Sequence, residues 1–215
     1  MEKILVIGAH YDDPELGAGG SMSKWVSEGK EVFKLTLTDN VTNFTKRNII
    51  VGSESSKKES ASACEILGVT ELLDFSISPC TELVFNKKQM QQIEGYIIDN
   101  NIDTVVIHNI HDIQQDHVGA STISYVAGRY CDNILMYQSN KYIMPRDYYP
   151  RIFVDITDTV ELKRKALDCY SGAHDRYKSL FSITINQNRV YGYQINMEEK
   201  ETYAEAFVPI KYVMR

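Results

Sequence analysis

The sequence predicts an α/β fold: a Rossmann-like, doubly wound, mostly parallel sheet flanked by helices, with a small irregular β extension at the C-terminal end. Three observations carry this. Short runs rich in Ile, Val and Leu alternate with longer stretches of helical character. No internal repeat and no Pro/Gly/Ser-rich linker divides the 215 residues, so one domain over residues 1–215 is expected. A hydrophobic content of 43% beside 24% charged residues is ordinary for a globular chain and excludes a disordered or low-complexity one. Strand–helix alternation produces parallel βαβ units covered on both faces, and right-handed crossovers wind them doubly.

Taken in order, Lys3–Gly8 reads as a buried strand from its Ile4-Leu5-Val6-Ile7 run. Leu16–Gly29 reads as a helix with Gly29 just past its end. Glu31–Thr38 sets Val32, Lys34 and Thr36 against Phe33, Leu35 and Leu37, the alternation of a strand. Glu54–Leu67 is helical and stops at Gly68, and Glu71–Phe75 is a short strand. A helix over Lys88–Asn100 leads to a strand at Thr104–Ile107. The Asp112–His117 loop opens a helix that runs to about Arg129. Asn133–Gln138 and Arg151–Ile156 read as strands, and Thr157 to about Lys178 as one long helix. In the last thirty residues, Arg189–Tyr193 and Val208–Val213 read as late, antiparallel strands.

Composition narrows the function. Lys and Arg number 23 and Asp and Glu 29, a net charge of −6, which disfavours nucleic acid as a partner. No apolar run approaches the ~20 residues of a membrane span. Cys64, Cys80, Cys131 and Cys169 form no C-x-x-C pair, which argues against a structural zinc knuckle. No export signal is recognised, so reduced thiols and a cytoplasmic location are expected.

In such sheets ligands sit beyond the carboxyl ends of the strands. Two segments there are rich in metal-binding side chains. The first is Ala9-His10-Tyr11-Asp12-Asp13-Pro14-Glu15-Leu16-Gly17-Ala18-Gly19-Gly20. One reading is structural: Asp12 or Asp13 caps the next helix, with Pro14 in its first turn. The other is chemical. Neighbours in an extended loop point opposite ways, so Asp13 can share a metal with His10 while Asp12 faces the open side as a base. The glycines lack the G-x-G-x-x-G order of a nucleotide fingerprint and read as permitting close helix packing. The second segment, His108-Asn109-Ile110-His111-Asp112-Ile113-Gln114-Gln115-Asp116-His117, holds three of the five histidines. A His/Asp/His set drawn from the two segments leaves an open coordination position, as catalytic zinc requires.

These two segments resemble the PIG-L (LmbE-like) family of metal-dependent N-deacetylases. The A-H-P-D-D motif stands here as Ala9-His10-Tyr11-Asp12-Asp13, with Tyr11 for Pro, and runs on through Glu15-Leu16-Gly17-Ala18-Gly19-Gly20. The H-x-D-H motif stands as Gln114-Gln115-Asp116-His117. Fainter echoes include Glu59 with Ile66-Leu67-Gly68-Val69, Tyr149–Ile156, Lys163 with Ala166-Leu167, and Tyr203-Ala204-Glu205-Ala206-Phe207. The resemblance implies His10, Asp13 and His117 as ligands of Zn2+, with Fe2+ as the other candidate ion. It implies Asp12 as the general base for the attacking water. Asp116 would orient groups around the ligands, or else cap the helix. His108 and His111 read as structural or supporting.

The departures bear on substrate and turnover. Gln114 replaces the family's usual His; its amide can donate to an oxyanion but cannot deliver a proton, so Asp12 would return the proton to the leaving amine. Arginines that some members carry near Ser53 and Ser56 are absent, with Arg47, Lys57 and Lys58 nearby. The family's T-D-G turn is Thr38-Asp39-Asn40 here. The resemblance implies a zinc-dependent hydrolase removing an N-acetyl group from an amino-sugar substrate: a small N-acylated sugar, a glycoconjugate or a sugar nucleotide. The alternatives are a metal- and glycan-binding protein without turnover, and an ester or formamide hydrolase. A homo-oligomer is compatible with all three.

Overall fold

The computed structural model describes residues 1–44, 49–143, 146, 148–170, 175–197 and 201–214. Seven strands form one sheet in the order β5-β2-β1-β6-β7-β9-β8. These are β1 (Lys3–Gly8), β2 (Glu31–Thr36), β5 (Thr70–Leu72), β6 (Thr104–His108), β7 (Asn133–Tyr137), β8 (Ile152–Asp155) and β9 (Ala204–Lys211). The first five are parallel, while β9 runs antiparallel to both β7 and β8. A separate hairpin of β3 (Thr42–Phe44) and β4 (Ile49–Val51) has no counterpart in the sequence reading. Three residues per strand are too few to show a period.

The central strands are buried on both faces, which explains their unbroken apolar runs. In β1, Ile4 and Val6 enter one core, shared with Trp25, Leu67, Leu167 and Phe207. Leu5 and Ile7 enter the other, shared with Ile93, Ile97, Ile123 and Ala127. Helices α1 (Asp13–Ser27), α2 (Ser53–Leu67) and α5 (Val160–Asp168) cover the first face. Helices α3 (Lys87–Asp99) and α4 (Gln115–Ala127) cover the second. None of the described helices is long and apolar enough to cross a membrane.

The glycines of α1 serve packing. A Cβ built on Gly17 would lie 2.1 Å from the Tyr137 ring, so only glycine lets the helix sit this close to β7. Two fully buried ion pairs fix the same helix. Lys34 Nζ donates to Glu15 Oε1 at 2.6 Å, to Ser60 and Tyr170, and to the carbonyl of Tyr11. Lys163 Nζ donates to Glu205 Oε1 at 2.5 Å and to Leu16 O, while Glu205 also accepts from the backbone of Gly20 and Ser21. Truncating one partner of such a pair leaves a buried charge without compensation. Glu205→Ala, which would also remove an acceptor from the Gly20 and Ser21 N–H groups, is expected to lower stability by about 3–5 kcal/mol in urea unfolding.

The C-terminal third departs from the sequence reading. The helix expected over Thr157–Lys178 ends at Asp168, residues 171–174 lie outside the description, and α6 covers Asp175–Ile195. Arg189–Tyr193, expected as a strand, therefore lies inside α6. Phe181, Thr184, Ile185, Asn188 and Gly192 are buried at helical spacing, a period that a five-residue window of Tyr and Val hides. At Gly192 the helix passes so close to Thr202 that a Cβ would meet its carbonyl at 2.1 Å. The last strand spans Ala204–Lys211 rather than Val208–Val213, and is antiparallel as expected.

Candidate metal centre

Strand order reverses at β1: β2 and β5 lie to one side, β6 and β7 to the other. Ligand crevices in doubly wound sheets open at such a switch point. Pairing between β1 and β2 continues one step past the strands, with Leu37 N and Thr38 N donating to the carbonyls of Gly8 and Ala9. His10 begins where this ladder ends. Across the gap, His108 closes β6 and the loop to α4 brings in Asp112, Gln114, Asp116 and His117.

His10, Asp13 and His117 converge. One ligand atom from each lies within 4.8 Å of the others. His10 Nδ1 is 3.1 Å from Asp13 Oδ2, and His117 Nε2 is 3.3 Å from Asp13 Oδ1. Two ligands about 2.0–2.1 Å from a tetrahedral ion stand about 3.3 Å apart, so the donor set fits a cation of zinc's size. Each imidazole is backed on its other nitrogen by a carboxylate: Asp116 Oδ2 lies 3.0 Å from His10 Nε2, and Asp112 Oδ2 lies 2.9 Å from His117 Nδ1. Such partners fix the tautomer and aim the free lone pair at a metal. Asp116 is itself held by the backbone N–H groups of Thr81 and Leu83, and Asp112 by Asn140 Nδ2.

The electrostatics favour a cation. Burial opposes charge on His117, yet the Asp13 and Asp112 carboxylates outweigh it and lift the imidazole to about 9. His10 is raised well above its ordinary value in the same way, by Asp13 and Asp116 against burial. Asp13 is held well below the usual carboxylate range by His117, His108 and His10 despite burial. Burial and the His117 ring push His108 down to about 4.

The sequence-derived candidates occupy different stations. Asp12 is the N-cap residue of α1 and makes no capping hydrogen bond. Its backbone is helical (φ −87, ψ −14), so Asp12 and Asp13 diverge as successive helix residues and not by alternation in an extended loop, a correction to the sequence argument. Burial and Asp13 push the Asp12 carboxyl up to about 6. Gln114, not Asp116, is the N-cap of α4; its Oε1 accepts from His117 N at 2.8 Å. With that oxygen engaged, only the Gln114 Nε2 amide remains to donate. His108 stacks on His117 with centroids 4.0 Å apart and lies 3.2 Å from Asp13. His111 belongs to none of the clustered donor groups. Arg47 lies outside the described residues. Tyr11, in place of the family's Pro, is buried in the core beside α1.

Sequence reasoning assigned no role to Asp112, Asn140 or Cys80. Asn140 and Cys80 come from the loops after β7 and between β5 and α3, where no local spacing links them to the two motifs.

The family model described as PIG-L: GlcNAc-PI de-N-acetylase matches residues 5–127, over half the chain, and spans both the His10–Asp13 and the His108–His117 segments. The Escherichia coli K12 protein named uncharacterized deacetylase YaiS is 25% identical over 160 residues, covering 72% of this chain and 82% of that one. The diacetylchitobiose deacetylase of Thermococcus kodakarensis is 27% identical over 187 residues, covering 78% and 68%. The crystal structure of GalB, the 4-carboxy-2-hydroxymuconate hydratase of Pseudomonas putida KT2440, superposes with a TM-score of 0.81 at 17% identity, covering 100% of this chain and 98% of that one. This last likeness shows the fold alone. The chain belongs to the GlcNAc-PI de-N-acetylase (PIG-L) family, whose reaction is N-deacetylation, a hydrolysis.

Proposed function

We propose that the protein is a metal-dependent hydrolase that removes the acetyl group from an N-acetylated amino sugar, free or carried on a glycoconjugate or sugar nucleotide. The observation that carries this reading is the convergence of His10, Asp13 and His117, with the carboxyl of the adjacent Asp12 making no capping hydrogen bond to α1. His10, Asp13 and His117 would hold a divalent cation, Zn2+ or Fe2+, which would supply Lewis acidity there. Asp12 takes a proton from the attacking water and returns it to the nitrogen as the C–N bond breaks, leaving acetate and a free amine. The Gln114 Nε2 amide donates to the developing oxyanion. Asp116 and Asp112 keep His10 and His117 in the tautomers that present their lone pairs. The four free cysteines, two of them buried, fit a reducing compartment such as the cytosol.

The test is a panel of N-acetylated sugars, glycoconjugates and sugar nucleotides, assayed for amine and acetate release. The protein is stripped with a chelator and reloaded with Zn2+ or Fe2+. Equimolar acetate and amine are expected, and only with metal restored. Formate release in place of acetate, or ester cleavage alone, would replace the substrate reading; no release across the panel would overturn it. A second expectation concerns the support beneath His117. Asp112→Asn is expected to weaken metal affinity by about 10- to 100-fold while the fold persists, measured by competition with a chromogenic chelator.

A further inference from the structure

His10 faces two carboxylates with its two ring nitrogens, Nδ1 at 3.1 Å from Asp13 Oδ2 and Nε2 at 3.0 Å from Asp116 Oδ2. A neutral imidazole carries one N–H and one lone pair. With the proton on Nε2, the lone pair joins Asp13 and His117. With the proton on Nδ1, donated to Asp13, the lone pair turns toward Asp116. On that side the Cys80 Sγ lies 3.8 Å from the same Asp116 Oδ2. Ligand atoms of His10, Cys80 and Asp116 all fall within 4.8 Å of one another. Around a tetrahedral zinc, sulfur at about 2.3 Å and oxygen at about 2.0–2.2 Å stand about 3.5 Å apart, so the Cys80–Asp116 edge of the triad is within a few tenths of an ångström of that spacing.

The triad is held in place, with His10 and Cys80 half-buried and Asp116 fully buried. Cys80 is a free, half-buried thiol. Its backbone N–H donates to Asp39 Oδ1 at 2.9 Å, and the next residue's N–H donates to Asp116 Oδ2 at 2.7 Å. The loop that carries the sulfur is therefore pinned at both sides.

We propose that His10, Cys80 and Asp116 form a second cation site, selective for thiophilic ions, that shares His10 with the deacetylase set and switches that set off when filled. The loss of activity rests on the function proposed above; the site itself does not. On binding, the Cys80 thiol releases its proton to solvent, and the His10 proton stays on Nδ1 facing Asp13. Thiolate selects Zn2+ and Cd2+ over Mg2+ or Mn2+. One imidazole cannot present both lone pairs while neutral, so the two sites compete for it.

The test is a Cd2+ titration of the whole chain, followed by thiolate-to-cadmium charge-transfer absorption in the ultraviolet. The band is expected in the wild type, in Cys169→Ser and in His117→Ala, and is expected to vanish in Cys80→Ser. In parallel, excess Zn2+ is expected to inhibit wild-type amine release, with the inhibition constant at least about 10-fold higher in Cys80→Ser. A band that persists in Cys80→Ser, or none in the wild type, would overturn the site. Loss of the band in His117→Ala would place the thiolate in the deacetylase set and overturn a separate site. Unchanged zinc inhibition in Cys80→Ser would overturn the switch. If His117→Ala combined with Cys80→Ser keeps its full metal content while the Cys80 band behaves as stated in the single variants, the deacetylase set fails and this site stands.

Discussion

His117→Ala is expected to empty the deacetylase metal set and reduce amine release to the background rate. His117 is anchored on several sides. Its Nδ1 faces Asp112 at 2.9 Å, its backbone N–H is capped by Gln114, and its ring stacks on His108. A side chain held by three independent contacts presents Nε2 with little entropy left to lose. Loss of a neighbour that only orients a ligand costs about 10- to 100-fold in metal affinity, so loss of the ligand itself is expected to cost more than ~10²-fold. The control is His111→Ala, on the same loop but outside every donor group. Elemental analysis after dialysis, in a Cys80→Ser background that removes the second site, distinguishes them: metal absent with His117→Ala and retained with His111→Ala. The reverse pattern would move the site.

Much of the sheet was legible because β1, β6 and β7 are buried on both faces, and a strand so placed must be apolar throughout. The ends of the chain's logic were less legible. The inner face of α6 becomes periodic only when read from Phe181, well before the Tyr-Gly-Tyr that resembles a strand. Lys34 and Lys163 look like surface residues in a sequence, yet both are fully buried. Their partners, Glu15 and Glu205, lie 19 and 42 residues away, beyond any local pattern. Tyr203–Phe207 thus stood as a faint family echo whose physical reason, a carboxylate pinning α1, appears only in three dimensions. The site shows the same division. Donor types crowded behind two strands mark it in one dimension. What orients them does not, because Asn140 and Cys80 reach the centre from loops that share no spacing with either motif.

Asp12→Asn is expected to keep the metal and the fold and to lower kcat by about 10²–10⁴-fold, the usual contribution of a general base. The substitution is nearly isosteric. Asp12 makes no capping hydrogen bond, so α1 loses no partner when its carboxylate becomes an amide. Asp13, the adjacent donor, keeps its contacts to His10 and His117. What disappears is a group able to hold a proton. Burial and Asp13 push the Asp12 carboxyl up to about 6 in the metal-free protein, and a carboxylate can accept a proton from water and then release it to an amine. An asparagine amide can do neither. Gln114→Ala supplies the comparison: it removes an N-cap and one oxyanion donor but no proton carrier, so its kcat loss is expected to be smaller than that of Asp12→Asn. The measurements are metal content, melting temperature and kcat for both variants on the substrate found in the panel. Full metal and unchanged melting with collapsed turnover in Asp12→Asn would fix the residue in the chemical step. Normal turnover in that variant would remove Asp12 from the mechanism, and a larger loss in Gln114→Ala would shift the proton-handling role to the loop before α4.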